Sequence, residues 1–382
     1  MTLPAPGHLL PATPLDHALA WIGQGQPVAI ATVTGAWGSS PRPAGSCMVI
    51  AGNGRVEGSV SGGCVESDVM VQAQDILAGA APMLLHYGVS SARAWEVGLA
   101  CGGKLDVLVE AVRSPACPTG TLPLSLLEEA CADVAARRST ALARTLDGTR
   151  HCLLHPSTPA VGRPHPAAGK ADTRTADAPP EPCPAPVMAA AAHCLADGRA
   201  TTTADDSGQD WFVQPLTPPP RLLIVGAVHV AQHLAQMAAL TGLAPVVIDP
   251  REALATQERF TGLVPGQTLI TDWPTEALEA LKVDAMTAIA TLTHDAKLDD
   301  PTLEAALASP AFYIGALGSR RTQASRLERL RELGFDEQAL RRIRGPIGLA
   351  IGAVGAEEIA LSILAEIVAV RRNAPLAAQP GW

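Results

Sequence analysis

The sequence predicts an α/β protein with a mixed α/β domain over residues 1–216 and a doubly wound parallel-sheet domain over 221–373. Two observations carry this reading. The second half alternates buried-type apolar strands with amphipathic helices, the pattern of a parallel sheet covered on both faces. The first half mixes β-branched runs, hairpin turns and single helices, and Thr217-Pro218-Pro219-Pro220 interrupts the chain between the two.

The elements follow in order. PVAIATVTG (27–35) is β-branched and bounded by Pro and Gly, which predicts a strand. Asn53-Gly54 lies between two strand-like runs in CMVIAGNGRVEGSV and predicts a hairpin with a type I′ turn. Apolar residues at 65, 69, 73, 76 and 77 form a helical stripe closed by Gly79. PMLLHY and KLDVLVEAV (104–112) return as strands, LSLLEEACADVAARR (124–138) as a helix, and Asp147-Gly148 as a second hairpin. Residues 157–185 lack large apolar side chains and periodicity, which predicts a disordered insertion in which Cys183 is incidental. VMAAAAHCLADG reads as a helix stopped by Gly198, and DWFVQPL as the closing strand of the first domain.

In the second half, RLLIVGA, APVVIDP, AMTAIATLT and AFYIGAL are the strands. The helix at SRRTQASRLERLRELGF is expected to end at Gly334 with Phe335 in a Schellman contact. AEEIALSILAEIVAVRR closes the domain, with acids at its start and arginines at its end, as the helix dipole favours.

A net charge of -9 argues against a general nucleic-acid binder. The amino terminus lacks a secretory pattern, and the chain lacks an uninterrupted apolar run of transmembrane length. The eight cysteines are scattered without a CxxC pair, which fits a reducing cytoplasm better than a zinc cage or disulfide framework.

Three sets of residues carry candidate chemistry. In Ser61-Gly62-Gly63-Cys64 a glycine turn leads from a strand into a helix, where open amides and a partly ionised thiol could meet a ligand; Glu66, one turn in, opposes that ionisation. Cys101-Gly102-Gly103 repeats the pairing of thiol and glycines, and Ser39, Ser40 and Arg42 form a third loop suited to an oxyanion. Together these loops suit a phosphorylated ligand with a soft reactive atom that prefers sulfur, although a free cysteine is often only a small buried hydrophobe. A hydrolase nucleophile is less attractive, because Cys64 has no obvious neighbouring His, although His86 could approach through the fold. The other thiols are read as structural.

In the second domain Gly226 opens a dinucleotide-type turn, and Asp249 stands 23 residues on, the place of a ribose-binding acid. Val228 replaces the second glycine of the fingerprint, which crowds the approach of a pyrophosphate. The loop THDAKLDD (293–300) offers His294, Asp295, Lys297 and Asp299, and GALGSRRT (315–322) offers Gly318, Ser319 and Arg320 at a helix start. Ordinary N-capping with solvated arginines accounts for the last group equally well.

ATVTGAWGSSPRPAGSCM, GSVSGGCVE, AWEVGLACGGKLDV, PPPRLLIVGAVHVA, THDAKLDD, AFYIGALGSRRT and GPIGLAIGA together resemble the XdhC/CoxI family of molybdenum-cofactor accessory proteins. The resemblance spans most of 20–112 and 210–370. It implies a cytoplasmic carrier and chaperone rather than a turnover enzyme. Such a protein binds molybdopterin or its cytosine dinucleotide and protects it while a cysteine desulfurase partner helps install the terminal sulfur. It then hands the cofactor to the large subunit of an apo-molybdoenzyme, and is expected to be a homodimer. On this reading Ser39, Ser40, Arg42, Ser61, Gly62, Gly63, Cys64, Cys101, Gly102, Gly103, Gly226, His229, Asp249, His294, Asp295, Gly318, Ser319 and Arg320 contact the cofactor, with Cys64 and Cys101 nearest molybdenum. The usual Gly-Ala-Gly-His of the family is here Gly226-Ala227-Val228-His229. Two other readings compete: an NAD(P)-dependent oxidoreductase with His294 as acid/base, and an adaptor whose second domain dimerises and docks the molybdoenzyme.

Overall fold

The computed structural model describes residues 13–38, 42–63, 65–88, 103–156, 182–263 and 268–375. They divide into two compact units, one running to Pro218 and the other starting at Pro219.

The first unit opens with helix α1 (Pro14–Gly23), whose Thr13 and Asp16 form a reciprocal capping box. Strands β1 (Val28–Trp37), β2 (Cys47–Ala51) and β3 (Val56–Gly58), helix α2 (Glu66–Leu77), and strands β4 (Met83–Tyr87) and β5 (Lys104–Arg113) follow. Their sheet has the order β3-β2-β1-β5-β4, all antiparallel, with the short β6 (Leu122–Pro123) parallel to the end of β5. Alternation along the strands gives the sheet two apolar faces. One packs on Val69, Ala73 and Ile76 of α2. The other packs on Ala18 and Trp21 of α1 and Leu127 of α3 (Leu124–Ala135).

A second antiparallel sheet is built from β7 (Thr140–Thr145), β8 (His151–Leu154), β9 (Thr201–Ala204) and β10 (Asp210–Leu216), in the order β8-β7-β10-β9. Helix α4 (Ala185–Asp197) covers it through Val187, Ala191 and Cys194, and ends at Gly198 with φ 71°. β9 has no counterpart in the sequence reading, because the run TTTA has no apolar alternation.

Two details of this unit differ from expectation. The hairpin after β2 is a three-residue loop: Gly54 N–H donates to Ala51 O, Arg55 O accepts from Ala51, and Gly54 alone of the loop has positive φ (84°). A type I′ turn needs positive φ at both central residues, and Asn53 does not supply it. The expected insertion overlaps ordered chain at its end: Cys183 is 6% exposed in the core beneath α4, not incidental, while 157–181 lies outside the described residues. Its thiol hydrogen-bonds Cys152, and that bond pushes the Cys152 thiol down and its own up.

The second unit runs β11 (Arg221–Val225), α5 (His229–Leu240), β12 (Ala244–Ile248), β13 (Leu269–Ile270), α6 (Pro274–Leu281), β14 (Thr287–Thr291), α7 (Ala296–Leu307), β15 (Tyr313–Ala316), α8 (Arg320–Glu332), α9 (Glu337–Leu340), β16 (Ile343–Arg344) and α10 (Ala356–Arg371). Its strands are all parallel in the order β13-β12-β11-β14-β15-β16. Counted from β11 this is 3-2-1-4-5-6, the doubly wound order with its switch point between β11 and β14. Leu222 and Ile224 face α5 and α10, while Leu223 and Val225 face α6, α7 and α8. The Schellman end of α8 is as expected, with Phe335 N–H on Leu330 O and Gly334 N–H on Arg331 O. No helix among the described residues is long and apolar enough to cross a membrane.

Candidate functional site

Four loops of the second unit leave the carboxyl ends of β11, β12, β14 and β15, where open α/β sheets bind ligands. The turn after β11 is tight because Gly226 adopts φ 112°, and a Cβ there would stand 2.8 Å from Thr293 Cγ2. Asp249, at the end of β12, is fully buried and accepts Ala227 N–H at 2.7 Å. Arg251 grips the same carboxylate through Nε and Nη2 at 2.9 and 2.8 Å. Burial would push the Asp249 carboxyl up, but the bonds from Arg251 and Ala227 outweigh it and hold it below the usual range. The acid expected at a ribose is therefore engaged in holding the Gly226 turn. Asp249→Asn would turn an amide N–H₂ toward these donors. It is expected to lower stability by about 1–3 kcal/mol in urea unfolding. A variant as stable as the parent would show that the turn does not depend on this carboxylate.

The loop after β14 is shorter than the sequence suggests. His294 takes a left-handed φ of 60°, and Asp295 caps α7 by accepting Lys297 N–H at 3.0 Å. Lys297 and Asp299 are helical rather than loop residues. Asp299 is buried, accepts Thr293 Oγ1 at 2.6 Å and faces Arg326 at 3.6 Å. Arg326 also donates to Leu317 O, so one buried ion pair links the loops after β14 and β15.

The loop after β15 borders a cavity of about 390 Å³. Gly318, Ser319 and Arg320 line one side, and Ile347, Ala353 and Ile359 give it an apolar wall. Its size lies within the range of small-ligand sites. Ser319 caps α8 by accepting Thr322 N–H at 3.1 Å, so the positive end of that helix opens beside the cavity. The opposite wall is anchored by Ile347 N–H on Ala316 O and by Gly348 N–H on the buried Glu366. Apolar walls with one anion-favouring edge suit a ring system bearing a phosphate. The sequence does not single out the Pro346–Ile347 wall as a site; the GPIGLAIGA motif is its only signal.

In the first unit, Ser39, Ser40, Cys64, Cys101 and Gly102 lie outside the described residues. Arg42 is exposed, and Gly103 is buried at the start of β5. The amides of Ser61, Gly62 and Gly63, expected to stand open, instead cradle the Glu66 carboxylate at 2.9, 3.0 and 2.9 Å. Val65 N–H and the hydroxyls of Ser59 and Ser61 join them. Burial pushes the Glu66 carboxyl up, but the hydrogen bonds from Ser61, Ser59 and Gly62 prevail and set it at about 2. The glycines thus wrap an internal anion, which the sequence alone presents as an opponent of the thiol rather than as the centre of the turn. His86 pairs with Asp106 across β4 and β5 at 2.7 Å. Burial pushes the Cys47 and Cys131 thiols up to about 11 and about 12, in line with structural cysteines.

Strand order and loop geometry define a two-unit α/β protein whose second unit is of the Rossmann class. Residues 21–88 match the family model described as "XdhC and CoxI family", and 222–367 the one described as "XdhC Rossmann domain". The chain belongs to the XdhC/CoxI family. It is 28% identical over 94% of its length to the molybdenum cofactor insertion chaperone PaoD of Escherichia coli, covering 88% of that protein. It is 27% identical over 90% of its length to a probable xanthine dehydrogenase subunit of Bacillus subtilis, covering 93% of it. A crystal structure described as a xanthine dehydrogenase from Bacillus halodurans shares the fold, with a TM-score of 0.71 at 24% identity over 97% of this chain and 98% of that one.

Proposed function

We propose that this chain is a molybdenum-cofactor insertion chaperone for a xanthine dehydrogenase-type enzyme. The observation that carries the reading is the cleft at Gly318–Arg320, built from segments within the matched region 222–367 and shaped for a ring with a phosphate. The name of the PaoD relative supports the cargo. In this account the cleft takes the pterin or nucleotide portion of the cofactor, with Ser319 and Arg320 at its phosphate. Cys64 and Cys101 are independent candidates for a molybdenum contact, and Arg42, Ser39 and Ser40 for an oxyanion contact, each tested by its own substitution. The protein shields the cofactor while a cysteine desulfurase supports its sulfuration. It then delivers the cofactor to the large subunit of the apo-enzyme, and acts as a homodimer.

Anaerobic ultrafiltration with isolated cofactor tests the residue assignments. Cys64→Ser, Cys101→Ser and Arg320→Ala are each expected to weaken retention about tenfold, the loss of roughly 1.4 kcal/mol of contact. Equal retention by both Ser variants and the parent would remove the cysteines from the site. The same assay with NADPH is expected to give no saturable binding, because Val228 crowds the turn and Asp249 is engaged by Arg251.

A further inference from the structure

We propose that His229, His233 and Glu357 form a binding site for a divalent cation of the zinc class on the surface of the second unit. His229 and His233 lie one turn apart at the start of α5, so both rings leave the same helix face. Their Nε2 atoms are 3.3 Å apart, and the rings meet edge to face. Glu357, in the first turn of the adjoining α10, places Oε1 3.4 Å from His233 Nε2.

These separations decide the reading. Two donors each about 2.05 Å from one tetrahedral zinc ion stand about 3.3 Å apart. Both gaps to His233 match that ligand-to-ligand distance, while the three donors do not all lie within 4.8 Å of one another, so Glu357 has to turn toward His229 to share one ion. Pairwise contacts account for each gap singly, His229 with His233 and His233 with Glu357. A cation accepts a lone pair from each ring and the charge of the carboxylate together. The Glu357 side chain is 60% exposed, so it can turn to complete a third bond, leaving a fourth position for water. Two His and one Glu with an open position is an established zinc donor set.

A second cluster provides the contrast. Glu129, Asp133 and His155 hold ligand atoms within 4.8 Å of one another. There His155 Nε2 is only 2.6 Å from Asp133 Oδ2, closer than two ligands of one ion, and Arg138 holds the other oxygen of Asp133. That geometry is an ion pair.

The proposal does not rest on the chaperone reading, because its readout is metal on the protein alone. Tag-free full-length chain is titrated with Co²⁺, whose visible absorption reports tetrahedral coordination, and then with Zn²⁺ in competition. One equivalent is expected, with affinity falling at least tenfold in His229→Ala, in His233→Ala and in Glu357→Gln, and unchanged in His155→Ala. His229 is exposed and His233 half-buried, and Glu357→Gln keeps the side-chain volume should either Ala variant fail to fold. Binding unaltered by these substitutions, or abolished by His155→Ala, would overturn the site.

Discussion

Arg144→Ala is expected to destabilise the first unit by about 3–5 kcal/mol, the cost of leaving a buried charge without its partner. Arg144 and Glu110 are 2% and 0% exposed and pair at 2.7 Å between β7 and β5, so the bond ties one sheet to the other. Arg144 also donates to Thr32 Oγ1 and Gln214 Oε1, and His151 Nε2 meets the second oxygen of Glu110 at 2.6 Å. Burial pushes the Glu110 carboxyl up, but His151 and Arg144 outweigh it and hold it below its ordinary range. A depressed carboxyl contributes stability that is present above the unfolded value and lost as pH falls through the folded one. Acid should therefore unfold the parent partly through Glu110. Replacing both charges, as Arg144→Met with Glu110→Leu, should recover part of the loss, since neither member of the pair is left as a buried charge, while His151, Thr32 and Gln214 still lose their partners. Chemical denaturation of the three proteins measures this; equal stability of parent and Arg144→Ala would mean the network adds nothing.

Glu66→Ala is expected to cost about 1–3 kcal/mol and to loosen the turn on both sides of position 64. The carboxylate is the common acceptor of Ser61, Gly62, Gly63 and Val65 amides, so without it Ser61 and Gly63 must find water while Gly62 and Val65 keep only the Ser59 and Ser61 hydroxyls. Its folded value of about 2 lies below the ordinary 4.5, so its contribution stands above about pH 4.5 and fades as pH drops toward 2. In Glu66→Gln that part of the acid dependence should vanish. Cofactor retention should fall with Glu66→Ala as it does with Cys64→Ser. A variant that keeps the cofactor while losing stability would separate the turn from the site.

Most of the second unit is legible in the sequence because its strands are continuous apolar runs and its helices carry caps. Ser319 at the start of α8 and Gly334 with Phe335 at its end are local signals, and local signals survive folding. The short β13 and the strand TTTA are not legible, since two or four residues without alternation gain their structure from a neighbouring strand. The site is harder to read for a related reason. Gly62 and Gly63 in sequence announce a turn around an anion, but not that the anion is Glu66. Asp249 sits where a ribose acid belongs, yet Arg251 two residues on converts it into a support for the Gly226 turn. Whether a polar group serves a ligand or the fold depends on contacts made after folding, which spacing alone does not encode. The distance between His229 and His233 is a case in reverse, because helical spacing alone already places them on one face.

The most direct test of the chaperone account is a metal count. The purified protein is incubated anaerobically with molybdenum cofactor and passed over gel filtration, and molybdenum is measured in the protein peak. The account predicts close to one molybdenum per site in the parent, with marked loss in Cys64→Ser and in Arg320→Ala. A folded protein whose peak carries no molybdenum would contradict it and leave the docking-adaptor reading in its place.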